Sequence, residues 1–210
     1  MVEVLFVDNH ILVVNKPAGI ATQPSPTSDE SLEQLCKDWI KKEYQKPGNV
    51  FLHALHRLDK PVSGIVLFAR TSKALSRLNE SMREKKMQKV YIAKVEGKLQ
   101  PMQGTLEHYL IHGDHIAHLT SSSAPGAKRA VLHYIVKEHR AGVSVVEIAL
   151  ETGRYHQIRA QMSAVGHPVV GDRKYGSSSA SNGISIELQH ARFSFPHPIT
   201  HEQLTFSVEK

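Results

Sequence analysis

A chain of 210 residues with 40% hydrophobic and 22% charged content is long enough to bury a substantial core and has the composition of an ordinary soluble globular protein. Its 26 Lys and Arg against 20 Asp and Glu leave a formal charge of +6 and a pI near 9.4, which favours polyanionic partners without identifying one. A lone cysteine, Cys36, excludes an intrachain disulfide, and no apolar run approaches the ~18 residues of a membrane span.

The N-terminus lacks the basic start of a signal peptide, so a cytoplasmic location is expected. Val2 to Val7 and Ile11 to Val14 are β-rich runs separated by Asp8-Asn9-His10, which predicts a hairpin that Lys16-Pro17-Ala18-Gly19 then breaks. After the Pro- and Ser-rich loop from Gln23 to Ser28, Leu32, Leu35, Trp39 and Ile40 recur at helical spacing. Ser28 or Asp29 is available as a cap, Cys36 is expected to be a buried thiol, and the helix should end before Pro47-Gly48. Gly64 to Ala69 reads as a strand covered on both faces.

A second helix is predicted from Ser72, with Leu75, Leu78 and Met82 inward and the cationic stretch Arg83 to Lys89 at its end. Strands follow at Val90 to Val95, Ala130 to Val136 and Val143 to Leu150. Thr152-Gly153 leads into a third helix with Ile158, Met162 and Val165 on one face, Gly166 at its C-cap and Pro168 beyond. This order predicts an α+β fold: a mostly antiparallel mixed sheet flanked by helices and loops, in a single domain over residues 1–210 with at most a small flap.

The segment His56-Arg57-Leu58-Asp59-Lys60-Pro61-Val62-Ser63-Gly64 stands directly before the buried strand, a position suited to presenting polar side chains on a rigid support. Taken alone, an Arg-x-Asp there is more often a solvated pair. The segment closely resembles the catalytic motif of the RluA family of pseudouridine synthases, and four other stretches resemble the same family in order. They are Ile11 to Gly19, Lys89 to Gly97, Thr152 to Arg159 continuing through Gly166-His167-Pro168 to Gly171-Asp172-Arg173-Lys174-Tyr175-Gly176, and His190-Ala191 with Phe195 and His197-Pro198. The likeness spans nearly the whole chain.

The resemblance implies an RNA-modifying isomerase in which Asp59 is the catalytic carboxylate, Tyr91 stacks on the target uracil and Arg159 is the cation paired with Asp59. A single ionised carboxylate can capture an electron-poor ribose or take a proton from it, so nucleophile and base both stay open. A partnering guanidinium opposes desolvation of that carboxylate and orients it. Because a uracil within RNA structure must be flipped outward, the resemblance gives Arg57 the role of filling the vacated space. Lys16, Arg154, Arg173, Lys174 and the Arg83 to Lys89 stretch are candidates for the RNA backbone. Gly153 and Gly171 serve turns.

Two positions depart from the family pattern: Val62, preceded by Pro61, where Thr is common, and Gln161 where His is frequent. Both bear on loop geometry. The chain enters the catalytic motifs almost at once, so a separate N-terminal RNA-binding domain is not expected. His108, His112, His115 and His118 crowd one stretch, but Gly113-Asp114 makes it read as a hairpin without recognisable metal-ligand spacing. No metal or organic cofactor is expected, since the reaction is redox-neutral. The expected partner is RNA, ribosomal or transfer, with no membrane, no obligate protein partner and a monomeric state. The alternative is a non-catalytic RNA-binding or RNA-folding protein on the same fold.

Overall fold

The computed structural model describes residues 2–24, 30–179 and 182–208. The chain divides into two compact units, Met1–Lys89 with His190–Lys210, and Val90–Gln189. No helix among the described residues is long and apolar enough to cross a membrane.

In the first unit β1 (Glu3–Val7) and β2 (Ile11–Lys16) form the expected hairpin. Asp8 closes it, its Oδ1 accepting the N–H groups of His10 and Ile11 at 2.7 Å each. A 12-residue helix, α1 (Leu32–Glu43), follows. Its cap is Ser31, whose hydroxyl accepts the Gln34 N–H; Ser28 and Asp29, the expected caps, lie outside the described residues. Leu32, Cys36 and Ile40 are the buried apolar face, whereas Leu35 is 37% exposed. The i, i+4, i+8 row, one position off the anticipated Leu35 row, packs inward.

β3 (His53–Ala54) and β2 both pair antiparallel with β4 (Ser63–Ala69). Ile65 to Ala69 are fully buried, as their unbroken apolar run predicts. One face of β2 and β4, with Ile11, Val13, Ile65, Leu67 and Ala69, packs on Ala74 and Leu78 of α2 (Ser72–Arg83) and on Phe193 and Phe195. Leu75 and Met82 lie partly buried against the same core.

The second unit is built on an antiparallel array in the order β5 (Gln88–Glu96), β9 (Val143–Leu150), β8 (Lys128–Arg140), β6 (Gln103–His112) and β7 (Ala117–Thr120). Helix α3 (Gln157–Ala164) sets Ala160 among Leu110, Ala117 and Ala130. It begins five residues later than its lead-in at Thr152, and Val165 is its C-cap rather than part of its inner face. Gly166, at φ +84°, then takes the left-handed turn that ends it. A short 3₁₀ turn at Arg173–Tyr175 follows. β10 (Leu188–Pro196) and β11 (Gln203–Ser207) form a further antiparallel pair not anticipated as strands. The alternation of Phe193 and Phe195 with polar residues was its signal, masked by the polar Gln189 and His190 ahead of it.

Candidate active site

Asp59 stands in the loop entering β4, and that loop is tied down on both sides of it. Thr22 Oγ1 donates to the Leu58 carbonyl at 2.9 Å and accepts the Leu58 N–H at 3.1 Å. The Lys60 carbonyl accepts the Gly19 N–H at 2.8 Å and Lys16 Nζ at 3.3 Å. Leu58 and Val62 are buried at 5% and 3% exposure, and the Val62 N–H donates to the Asp59 carbonyl. Two apolar anchors thus flank a half-buried aspartate. Val62, where the family pattern favours Thr, serves packing.

Lys16 corrects the expectation of an RNA-backbone contact. It is fully buried, and its ammonium donates to the carbonyls of Pro17 at 3.0 Å, Ile20 at 2.7 Å and Lys60 at 3.3 Å. Its three N–H donors go to backbone carbonyls, two in the turn after β2 and one in the loop that holds Asp59, and so tie the two together. Burial lowers its pKa to about 8, against the opposing pull of the Asp59 charge. Lys16 is therefore a fastener of the Asp59 loop.

Arg57 is exposed. His56 turns inward, edge-on to His190 and Phe193 at 5.3 and 5.1 Å, and its Nε2 meets the Leu67 N–H at 3.4 Å. Desolvation, with Lys89 and His190 adding to it, presses its pKa well below the usual value, so the ring is neutral. Gly64 has φ +119°, and a Cβ there would stand 2.3 Å from the His190 carbonyl oxygen. Only glycine allows that approach, which explains the end of the motif.

In the second unit Tyr91 is 8% exposed on β5 and faces Ile148 of β9 across the ladder. Arg159, on α3, is 4% exposed and Asp172 2%. The two form a bidentate pair, Nε to Oδ2 at 2.6 Å and Nη2 to Oδ1 at 2.9 Å. The Tyr175 ring lies 5.0 Å from the guanidinium carbon. Its hydroxyl accepts the Ala117 N–H at 2.7 Å and meets His156 Nδ1 at 2.9 Å. Burial, with Arg159 and Lys174 adding to it, lowers the His156 pKa to about 3.

Gln157 organises the turn into α3: its Oε1 accepts Thr152 Oγ1 at 2.8 Å and the Arg154 N–H at 3.0 Å, while its Nε2 donates to the Val131 carbonyl at 3.0 Å. Arg154, Arg173 and Lys174 are exposed cations. Arg154 Nε donates to the Arg129 carbonyl, and Lys174 Nζ to that of His115. Gln161 is fully buried, and its Nε2 lies 3.1 and 3.2 Å from the Leu106 and Ala130 carbonyls and 3.0 Å from His108 Nδ1. His108 is thereby hydrogen-bonded to a buried amide, and the His112 ring lies 4.3 Å from that of Tyr155, tilted at 47°. Among the described residues no group of three His, Cys, Asp or Glu side chains is placed to hold a metal ion.

Asp59 thus belongs to the first unit and Tyr91 and Arg159 to the second. The residues that sequence reasoning missed are those that hold them: Thr22 for the Asp59 loop, Asp172 and Tyr175 for Arg159, while Lys16 was singled out for a different role. Asp172 and Tyr175 stood inside the Gly171 to Gly176 motif, where no role was assigned to either.

The antiparallel α+β fold is that of solved RNA pseudouridylate synthase domains. The family model for RNA pseudouridylate synthase matches residues 10–164. The uncharacterized RNA pseudouridine synthase YhcT of Bacillus subtilis is 37% identical over 205 residues, covering 95% of this chain and 66% of the relative. Ribosomal large subunit pseudouridine synthase C of Escherichia coli K12 is 34% identical over 213 residues, covering 95% of this chain and 63% of the relative. The chain therefore spans slightly less than two thirds of the length of these two curated relatives. The solved structure of human RNA pseudouridylate synthase domain containing 4 shares the fold, with a TM-score of 0.84 at 21% identity over 99% of this chain and 88% of that one. The chain belongs to the RNA pseudouridylate synthase family.

Proposed function

We propose that this chain isomerises uridine to pseudouridine in a structured RNA, with Asp59 as the catalytic carboxylate. The observation that carries the reading is the loop at residues 56–62: hydrogen bonds to Leu58 and Lys60 fix the backbone on both sides of Asp59 while its side chain stays half-buried. Such preorganisation suits a group that must meet one ribose carbon of a flipped nucleotide.

The bond from C1′ to N1 breaks, a bond from C1′ to C5 forms, the C5 proton departs and N1 gains one. Nothing is oxidised or reduced, so the chemistry needs no redox cofactor. Asp59 captures the ribose or takes its C2′ proton; Tyr91 offers a flat face on which the detached base rotates; Arg159 keeps the carboxylate charged. Arg57 fills the gap left by the flipped base. Arg154, Arg173, Lys174 and the Arg83 to Lys89 stretch hold the RNA backbone.

Relatives named as ribosomal large subunit pseudouridine synthases make large-subunit ribosomal RNA the first substrate to test and transfer RNA the second. The protein acts in the cytoplasm as a monomer. The test is tritium release from C5-labelled uridines in total RNA of cells lacking the protein. Release by purified protein is expected, and none from either RNA class overturns the reading.

A further inference from the structure

We infer that Asp172 is a positioning residue for this reaction, fixing the guanidinium of Arg159 so that its Nη1 edge is presented to the reacting groups. The inference rests on the function proposed above. Asp172 takes Arg159 at Nε and Nη2, at 2.6 and 2.9 Å, and that parallel fork sets both the plane and the rotation of the guanidinium. The edge outside the fork is Nη1. The face is set independently by the Tyr175 ring at 5.0 Å. That ring is itself pinned through its hydroxyl, 2.7 Å from the Ala117 nitrogen and 2.9 Å from His156 Nδ1.

Asp172 is no more mobile than the group it holds. Its N–H donates to the Val169 carbonyl, and its own carbonyl accepts the N–H groups of Tyr175 and Ser177 at 3.0 and 3.1 Å. The chain from Gly171 to Ser177 is thus a rigid bracket for one carboxylate. Stability alone is a poor reason for the bracket, because a buried ion pair recovers little more than its desolvation cost and apolar residues of equal volume commonly do as well. Orientation is what the fork supplies and an apolar pair cannot. The cation stays charged and keeps one direction, so a partner carboxylate meets a defined donor.

The test compares Asp172→Asn, Asp172→Glu and Arg159→Lys, alone and as the Arg159→Lys/Asp172→Asn double variant, in tritium release with a single labelled RNA. Asp172→Asn keeps the shape but loses the charge and one acceptor; kcat should fall ~10- to 100-fold with KM for RNA within about twofold. Asp172→Glu should recover part of that kcat. In the Arg159→Lys background, where no fork exists to orient, Asp172→Asn should cost no more than about twofold. A kcat unchanged in folded Asp172→Asn overturns the inference, as does full additivity in the double variant or a loss confined to KM. Should Asp172→Asn fail to fold, Asp172→Glu carries the same comparison, and wild-type kcat in it overturns the inference. Asp59→Asn run alongside separates the two readings. If it retains turnover, the catalytic role proposed for Asp59 falls; if it is dead while the Asp172 variants keep their kcat, only the role of Asp172 falls.

Discussion

Asp59 and Lys16 are the two residues whose substitution discriminates most sharply. Asp59→Asn keeps the size of the side chain and removes its charge, so turnover should fall by ~10³-fold or more, within the range expected for loss of a nucleophile or base. RNA binding should stay within about twofold, measured by filter binding beside tritium release. Turnover near wild type would remove Asp59 from the chemistry, whereas a binding protein would show no turnover even in the wild type. Lys16→Met leaves the carbonyls of Pro17, Ile20 and Lys60 without their ammonium. A loss of ~3 kcal/mol in urea unfolding is expected, because buried acceptors lose their donor. A contact to RNA would instead leave stability unchanged and flatten the salt dependence of binding.

At the scale of elements, glycine and a cap hold the places of strand and helix. Gly64→Ala sets a methyl 2.3 Å from a backbone oxygen at φ +119°, and neither clash can be relieved by a side-chain rotation. A loss of at least ~3 kcal/mol is expected, seen as a shifted urea midpoint or loss of soluble protein. Ser31→Ala removes the side-chain acceptor for the Gln34 N–H and should cost ~1 kcal/mol; no change would mean that Ser31 does not hold the helix start. The existence of α1 and α2 was legible from spacing, and the start of α2 at Ser72 matches its cap residue Thr71. The cap of α1 was not, since Ser28, Asp29 and Ser31 are chemically equivalent and only the backbone path decides among them.

At the scale of the whole molecule, acid should weaken both units. Burial lowers His190 in the first to about 3, with Lys89 adding to it and the bond to the Ile65 carbonyl opposing it; His156 in the second also falls to about 3, again through burial first. The unfolded imidazole titrates near ~6.5, so as pH falls the unfolded chain takes up protons first and stability drains away between ~6.5 and 3. At pH 5 the loss is about 2 kcal/mol per histidine. Glu96, lowered to about 2 because the bonds from Ser177, Ser179 and Ser178 outweigh burial, loses its contribution only below ~4.5, where its unfolded carboxyl begins to protonate. Melting temperature should therefore drop from pH 7 to pH 5, and a flat profile would mean that these rings are already solvated. Binding to RNA should weaken with salt in proportion to the phosphates contacted.

Sequence alone determined the antiparallel α+β class, the buried runs of β2 and β4, the second helix and the family motifs that single out Asp59, Tyr91 and Arg159. The fold features are properties of local pattern and residue type, which burial on one or both faces writes into spacing, whereas the three residues rest on the resemblance to the family. Tertiary structure alone decided that Lys16 is a buried fastener and not a surface cation, that Asp172 grips Arg159, and that Gly64 exists for the backbone of His190. Each depends on segments far apart in the chain arriving at one point, and a side chain's partner across such a gap leaves no periodicity to read.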